Sequence, residues 1–217
     1  MQKNYICGEP SSLAIEIKVL NVEEHEFSDC VYRLVINNNS YGVYDENFLV
    51  SHNFIECNLL ITTIEHAIKV FRDKQNIIDL TGVIDSISVE DALAQIIRYH
   101  YCFGLKDEIE MNYEQSMDIF INKVTKNKDD FNISTFIMSD HDSMKGYFII
   151  PFFMHDKLYL ALIKKDCSDY EDFDCSDGYN WGFGDFDYFH IDMGYLLEIF
   201  ICAKKFLQRV LSHRTNG

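Results

Sequence analysis

Apolar and polar residues alternate in short blocks at the start of the chain and recur at helical spacing further on. Leu13–Leu20 (LAIEIKVL) and Val31–Asn37 (VYRLVIN) have the two-residue period of strands. The run NNNSYG, Asn37–Gly42, is a turn signal and predicts a hairpin with the segment that follows. Leu60, Ile64, Ile68 and Phe71 then recur at helical spacing, predicting a helix over about Asn58–Lys74. Val83–Ile87 reads as a short strand. Ser88–Asp91 (SVED) is a capping box with Asp in place of Glu, and Leu93, Ile96, Ile97 and His100 line one face after it. A further helix is expected near Glu114–Val124, with Met117, Phe120, Ile121 and Val124 inward.

The next block reads as sheet. Phe131–Met138, Gly146–Phe153 and Lys157–Lys164 are strand-like, and His155-Asp156 stands where a hairpin turns. Pro151 cannot donate to a ladder, so its strand is expected at an edge, bulged or interrupted. Asp192 is placed to cap a last helix, about Met193–Ser212, whose buried stripe is Leu196, Phe200, Ala203, Leu207 and Val210. No repeat, low-complexity tract or linker interrupts the pattern. The expected fold is α+β, a largely antiparallel sheet with about four helices packed on it, in a single domain over residues 1–217.

Composition changes the picture through its sign. The 217 residues are 47% hydrophobic, enough for a sizeable core, but 19 basic against 35 acidic residues leave −16. Nucleic acid and anionic membrane would be repelled, and a basic protein is the better partner. There is no apolar signal-peptide region at the N-terminus and no run long enough to span a membrane, so a soluble cytoplasmic protein is expected. Seven widely spaced cysteines without a C-x-x-C argue against a disulfide framework; most are expected to be small buried hydrophobes. Cys167 and Cys175 lie among carboxylates, which disfavours a reactive thiolate there.

The charge is concentrated. From Asp166 to Ala203 there are ten acids and no Lys or Arg, so this segment carries −10 and the other residues sum to −6. Tyr170, Phe173, Tyr179, Trp181, Phe183, Phe186, Tyr188 and Phe189 lie among these acids. Carboxylates steer a basic partner, and Tyr and Trp supply large contact area at small entropic cost. The candidate partner-binding residues are therefore Asp169, Glu171, Asp172, Asp174, Asp177, Tyr179, Trp181, Asp185 and Asp187. Phe186 and Phe189 are expected to point inward, while Tyr179 and Trp181 face solvent.

Catalytic and metal signatures are weaker. There is no P-loop, no dinucleotide fingerprint after a strand, no nucleophile elbow and no H-E-x-x-H. D-F-D-C-S-D-G, Asp172–Gly178, resembles a calcium loop, but its glycine comes one residue late and Phe183 occupies the twelfth position. Asp140-His141-Asp142 could share a metal or move protons, yet Ser139–Ser143 also reads as an ordinary polar turn. No catalytic residue, cofactor or bound metal is expected.

Ile6-Cys7-Gly8-Glu9-Pro10-Ser11-Ser12-Leu13-Ala14-Ile15-Glu16 resembles the start of a family of bacterial polymorphic-toxin immunity proteins, which read G-[DE]-P-x-x-[FL]-A-I. Members of contact-dependent growth inhibition systems are among them. Their second strand ends in I-N-G or similar; here it is Leu34-Val35-Ile36-Asn37-Asn38, with Asn38 where glycine is often found. The resemblance covers about the first sixty residues. It implies a non-enzymatic antidote that binds one toxin domain, often a nuclease, and it transfers no toxin-contacting residues. Gly8 and Pro10 are expected to form a turn that sets up the first strand. Two other classes stay open: an acidic nucleic-acid mimic that inhibits a DNA-binding enzyme, and a metal-dependent enzyme using Asp140, His141, Asp142 or the Asp172 cluster.

Overall fold

The computed structural model describes residues 3–20, 29–42, 44, 57–74, 77–102, 119–125, 137–138, 146–165 and 183–212. Eight strands and four helical segments are seen among them, giving the α+β class: β1 (Lys3–Glu9), β2 (Leu13–Leu20), β3 (Asp29–Ile36), β4 (Asn39–Tyr41), α1 (Cys57–Asp73), β5 (Ile78–Asp79), α2 (Val89–Cys102), α3 (119–124), β6 (Tyr147–Met154), β7 (Lys157–Lys165), β8 (Phe183–His190) and α4 (Met193–Ser212). The strands form two sheets of four, ordered β1-β2-β3-β4 and β5-β6-β7-β8. The chain divides into two compact units, neither continuous in sequence. One comprises residues 1–73, 137–149 and 191–217, the other 74–136 and 150–190.

In the first unit every strand pairing is antiparallel. The alternation in LAIEIKVL and DCVYRLVI sets Leu13, Ile15, Ile17 and Val19 beside Ile36, Leu34, Tyr32 and Cys30 on one face, all buried. α4 packs on β1 and β2 and also against α1. Its stripe is the expected one, Leu196, Phe200, Ala203, Leu207 and Val210, with Ile199 added. Phe200 meets Phe71 of α1 at 6.0 Å between ring centroids, and Tyr5 stacks on Phe206 at 4.1 Å. Asp192 caps the helix, its Oδ1 accepting the Tyr195 N–H at 2.7 Å.

Two turns fix the end of this sheet. Asn37 and Asn38, with φ of 51° and 68°, make the two-residue turn between β3 and β4. Pro10, Ser11 and Ser12 join β1 to β2, and Ser12 N–H donates to Glu9 O at 2.9 Å. The turns are tied together: Asn37 N–H donates to Ser12 O at 3.0 Å and Asn38 N–H to Pro10 O at 2.8 Å. Gly8 precedes the turn at φ +97°, where a Cβ would collide with the Leu13 carbonyl oxygen and approach Ile199 Cδ1 to 2.8 Å.

In the second unit β7 and β8 are antiparallel, while β5 runs parallel to β6 with Ile78 opposite Phe152 and Asp79 opposite Phe153. His155 and Asp156, at φ 49° and 60°, form the expected hairpin turn between β6 and β7. Pro151 sits in a strand that is interior by order. It is tolerated because β5 has only two residues and begins opposite Phe152, so no ladder bond is asked of position 151 on that side. Ser88 caps α2, its Oγ accepting the Asp91 N–H at 3.0 Å and bonding Asp91 Oδ2 at 2.9 Å. Leu93, Ile96 and Ile97 are buried as expected; the side chain of His100 lies outside the described ones.

Three expectations need correction or restriction. Val83–Ile87 is a run of turns, because Leu80 O accepts both the Val83 and Ile84 N–H groups and curls the chain back on itself. β1 and β5 are strands that the patterning did not predict. Ile137 and Met138 are the described part of the expected strand 131–138, and they are not in a strand; Met138 takes φ +60°. Of the helix expected near 114–124, residues 119–124 are helical with Ile121 and Val124 buried, and Met117 lies outside the described residues.

Candidate partner-binding site

Two of the nine candidate binding residues fall within the described chain. Asp185 and Asp187 lie on β8; Asp169, Glu171, Asp172, Asp174, Asp177, Tyr179 and Trp181 lie outside the described residues, as do Cys167, Cys175 and Asp140-His141-Asp142.

β8 is the terminal strand of its sheet, and its register with β7 is regular from Phe186 to His190. Successive side chains therefore alternate between faces. Asp187 and Phe189 stand opposite Leu162 and Leu160 on one face. Phe186, Tyr188 and His190 stand opposite Ile163, Ala161 and Tyr159 on the other. The register slips between Ile163 and Lys165, and Asp185 sits on β8 beside that slip, exposed. Both Phe186 and Phe189 were expected inward. Both are half-buried instead, and they lie on opposite faces, since residues an odd number of positions apart cannot share a face of one strand.

The face that carries Tyr188 holds a ring cluster. Phe152 stacks on Tyr159 at 5.4 Å, Tyr188 meets both edge-on at 6.1 and 6.2 Å, and His190 meets Tyr159 at 5.6 Å. Phe152 is fully buried and Tyr188 is 38% exposed, so the cluster runs from core to surface. Such a graded patch offers rigid aromatic contact area to a partner. The alternation thus splits what the composition had put together: Asp187 is on one face, and the exposed Tyr188 and His190 on the other.

Charged residues elsewhere are used within the fold. On the face of the first sheet opposite α4, Arg33 Nε and Glu16 Oε2 pair at 2.6 Å across β2 and β3. The Arg33 guanidinium and the Lys18 ammonium lie 4.7 and 4.9 Å from the centre of the Tyr44 ring. Burial and the Glu16 carboxylate raise the Tyr44 phenol above its ordinary value, against the pull of Arg33. Sequence reading did not find this cluster, although its signal was there: Glu16 and Arg33 are the polar breaks in two adjacent apolar strands. Where α1 meets α4, Lys204 pairs with Glu65 at 2.7 Å beside a cavity of about 260 Å³ lined by Ile68, Lys69, Arg72 and Asp73. That cavity is smaller than most small-molecule sites and mixes both signs of charge.

Cys7 and Cys30 are not poised as nucleophiles. Burial, then the neighbouring Cys202 thiol, pushes Cys7 well up, and a hydrogen bond with Cys57, burial and the Asp29 charge push up Cys30. Cys7, Cys30 and Cys57 are free and buried, as expected of small hydrophobes. The Tyr5 hydroxyl lies 3.8 Å from Cys202 Sγ, which raises the phenol. Among the described residues no three His, Cys, Asp or Glu side chains are grouped to hold a metal ion, and no helix is long and apolar enough to cross a membrane. No family model, curated protein or solved structure matches the chain.

Proposed function

We propose that the chain is an immunity protein: an antitoxin that binds a cognate bacterial toxin domain stoichiometrically in the cytoplasm and blocks it, without catalysis of its own. The N-terminal motif carries this reading. Its two stretches, Gly8–Leu13 and Ile36–Asn38, are far apart in sequence but meet as the interlocked turns at the end of the first sheet. Gly8 and Asn38 both take positive φ, so glycine, or asparagine in its place, has a physical reason at each motif position.

The charge distribution sets the class of partner. The −10 of residues 166–203 favours a basic toxin domain, and a nuclease is basic because it must grip phosphates. Binding would be centred on the acidic segment and β8, with carboxylates accelerating encounter and Tyr179, Trp181 and Tyr188 supplying contact area.

The test is to express the toxin domain encoded beside this gene in a bacterium, with and without this protein. Arrest of growth without it, recovery with it, and copurification as a stoichiometric complex are expected. A toxin that still kills in its presence would overturn the reading. The surface is tested separately by replacing Asp172, Asp174, Asp177, Tyr179 and Trp181 together and measuring toxin affinity by calorimetry. Unchanged affinity would remove the acidic surface while leaving the immunity function standing.

A further inference from the structure

We propose that β1 is a self-association edge, through which two copies of the chain join antiparallel and merge two four-stranded sheets into one of eight strands. β1 stands at the end of the order β1-β2-β3-β4, and among the described residues no strand lies beyond it. Asn4, Ile6, Gly8 and Glu9 are exposed, and Ile6 keeps 52% of its surface in solvent, a high value for an isoleucine in a regular strand.

Natural edge strands are usually guarded by proline, a bulge or an inward charge. β1 contains no proline, and its register with β2 runs from Lys3↔Val19 to Glu9↔Leu13 without a slip. One end is closed, since the Tyr195 hydroxyl accepts the Glu9 N–H at 2.9 Å. Residues 4–8 remain to carry a ladder.

The occupant follows from the strand's own sequence, KNYICGE. Pairing residues 4–8 of two antiparallel copies puts the two-fold axis on Ile6, so each exposed Ile6 faces its counterpart. The same register brings Lys3 of each copy near Glu9 of the other just past the two ends of the ladder, giving two attractions between opposite charges. Registers shifted by two positions, the smallest change that keeps the faces, lose both matches: Ile6 then falls opposite Asn4 or Gly8. The strand is therefore complementary to itself in one register. That complementarity favours a second copy over an unrelated strand.

The two copies each carry −16, and this opposes their approach. Salt screens such repulsion beyond about 8 Å at physiological ionic strength, so dimer should increase with added salt. Sedimentation velocity over a micromolar concentration series, at low and raised sodium chloride, is expected to show monomer and dimer in exchange, with more dimer at high salt.

Ile6→Lys sets like charges face to face on the axis and should weaken association by about tenfold or more. Circular dichroism should be unchanged, because Ile6 faces solvent. Glu9→Lys should weaken the dimer, and adding Lys3→Glu to it should restore association. A monomer under every condition would overturn the proposal, and so would a dimer that Ile6→Lys leaves intact.

Discussion

The two sheets use charge differently. In the first, Glu16 of β2 lies opposite Arg33 of β3, and Lys18 and Arg33 share the Tyr44 ring. In the second, Asp187 of β8 lies opposite the apolar Leu162 in the register with β7, and the nearby rings are gathered on the other face. A carboxylate that holds strands together needs a cation across the ladder, and Arg33 supplies one to Glu16. The comparison explains why a chain so acidic still forms a regular sheet: the excess is kept out of the pairing between β2 and β3.

Breaking the core of the first sheet should have the largest effect. Phe200→Ala removes a fully buried ring at the meeting of α4 and α1 and is expected to cost about 3–5 kcal/mol, read from urea unfolding. Gly8→Ala forces a Cβ into the Leu13 carbonyl at positive φ and should cost about 2–3 kcal/mol in the same assay.

The sharpest comparison is between two carboxylates. Glu16→Gln removes a partly buried ion pair and is expected to cost roughly 1 kcal/mol, while Asp185→Asn, at an exposed position of β8, should change stability by less than about 0.5 kcal/mol. Equal costs would erase the distinction between the sheets.

The last effect is a slope with pH. Cys7 and Cys30 have folded pKa values raised above the unfolded one, so their contribution is complete below the unfolded pKa. As pH rises past about 8.5, the thiols ionise in the unfolded chain first, and stability falls. Unfolding measured from pH 7 to 10 should show this decline. Cys7→Ser and Cys30→Ser together should flatten it.

Much of this architecture was legible because local chemistry and tertiary packing agreed. Ser88 and Asp192 announce their helices and cap them; Asn37-Asn38 and His155-Asp156 announce hairpins and turn them. β1 was hidden because the apolar residues it turns to α4 are only Tyr5 and the small Cys7, set among Asn, Gly and Glu. β5 has two residues, too few for any period. Val83–Ile87 misled because its apolar residues suit a buried turn as well as a strand. The candidate site was legible as composition only. Ten acids in one segment are visible by counting, but the alternation that parts Asp187 from Tyr188 becomes visible only when the register of β8 against β7 is known.

The packing of α4 on β1 has a consequence for synthesis. Tyr5 meets Cys202, and Glu9 meets Tyr195, across separations of 197 and 186 residues. A ribosome delivers the N-terminal hairpins long before the helix that covers them. Until α4 emerges, the apolar face of β1 and β2 has no lid from it, and the nascent chain must be shielded or stay loosely folded. Completion of the first unit thus waits on α4, and a chain that stops short of Met193 leaves that apolar face without its cover.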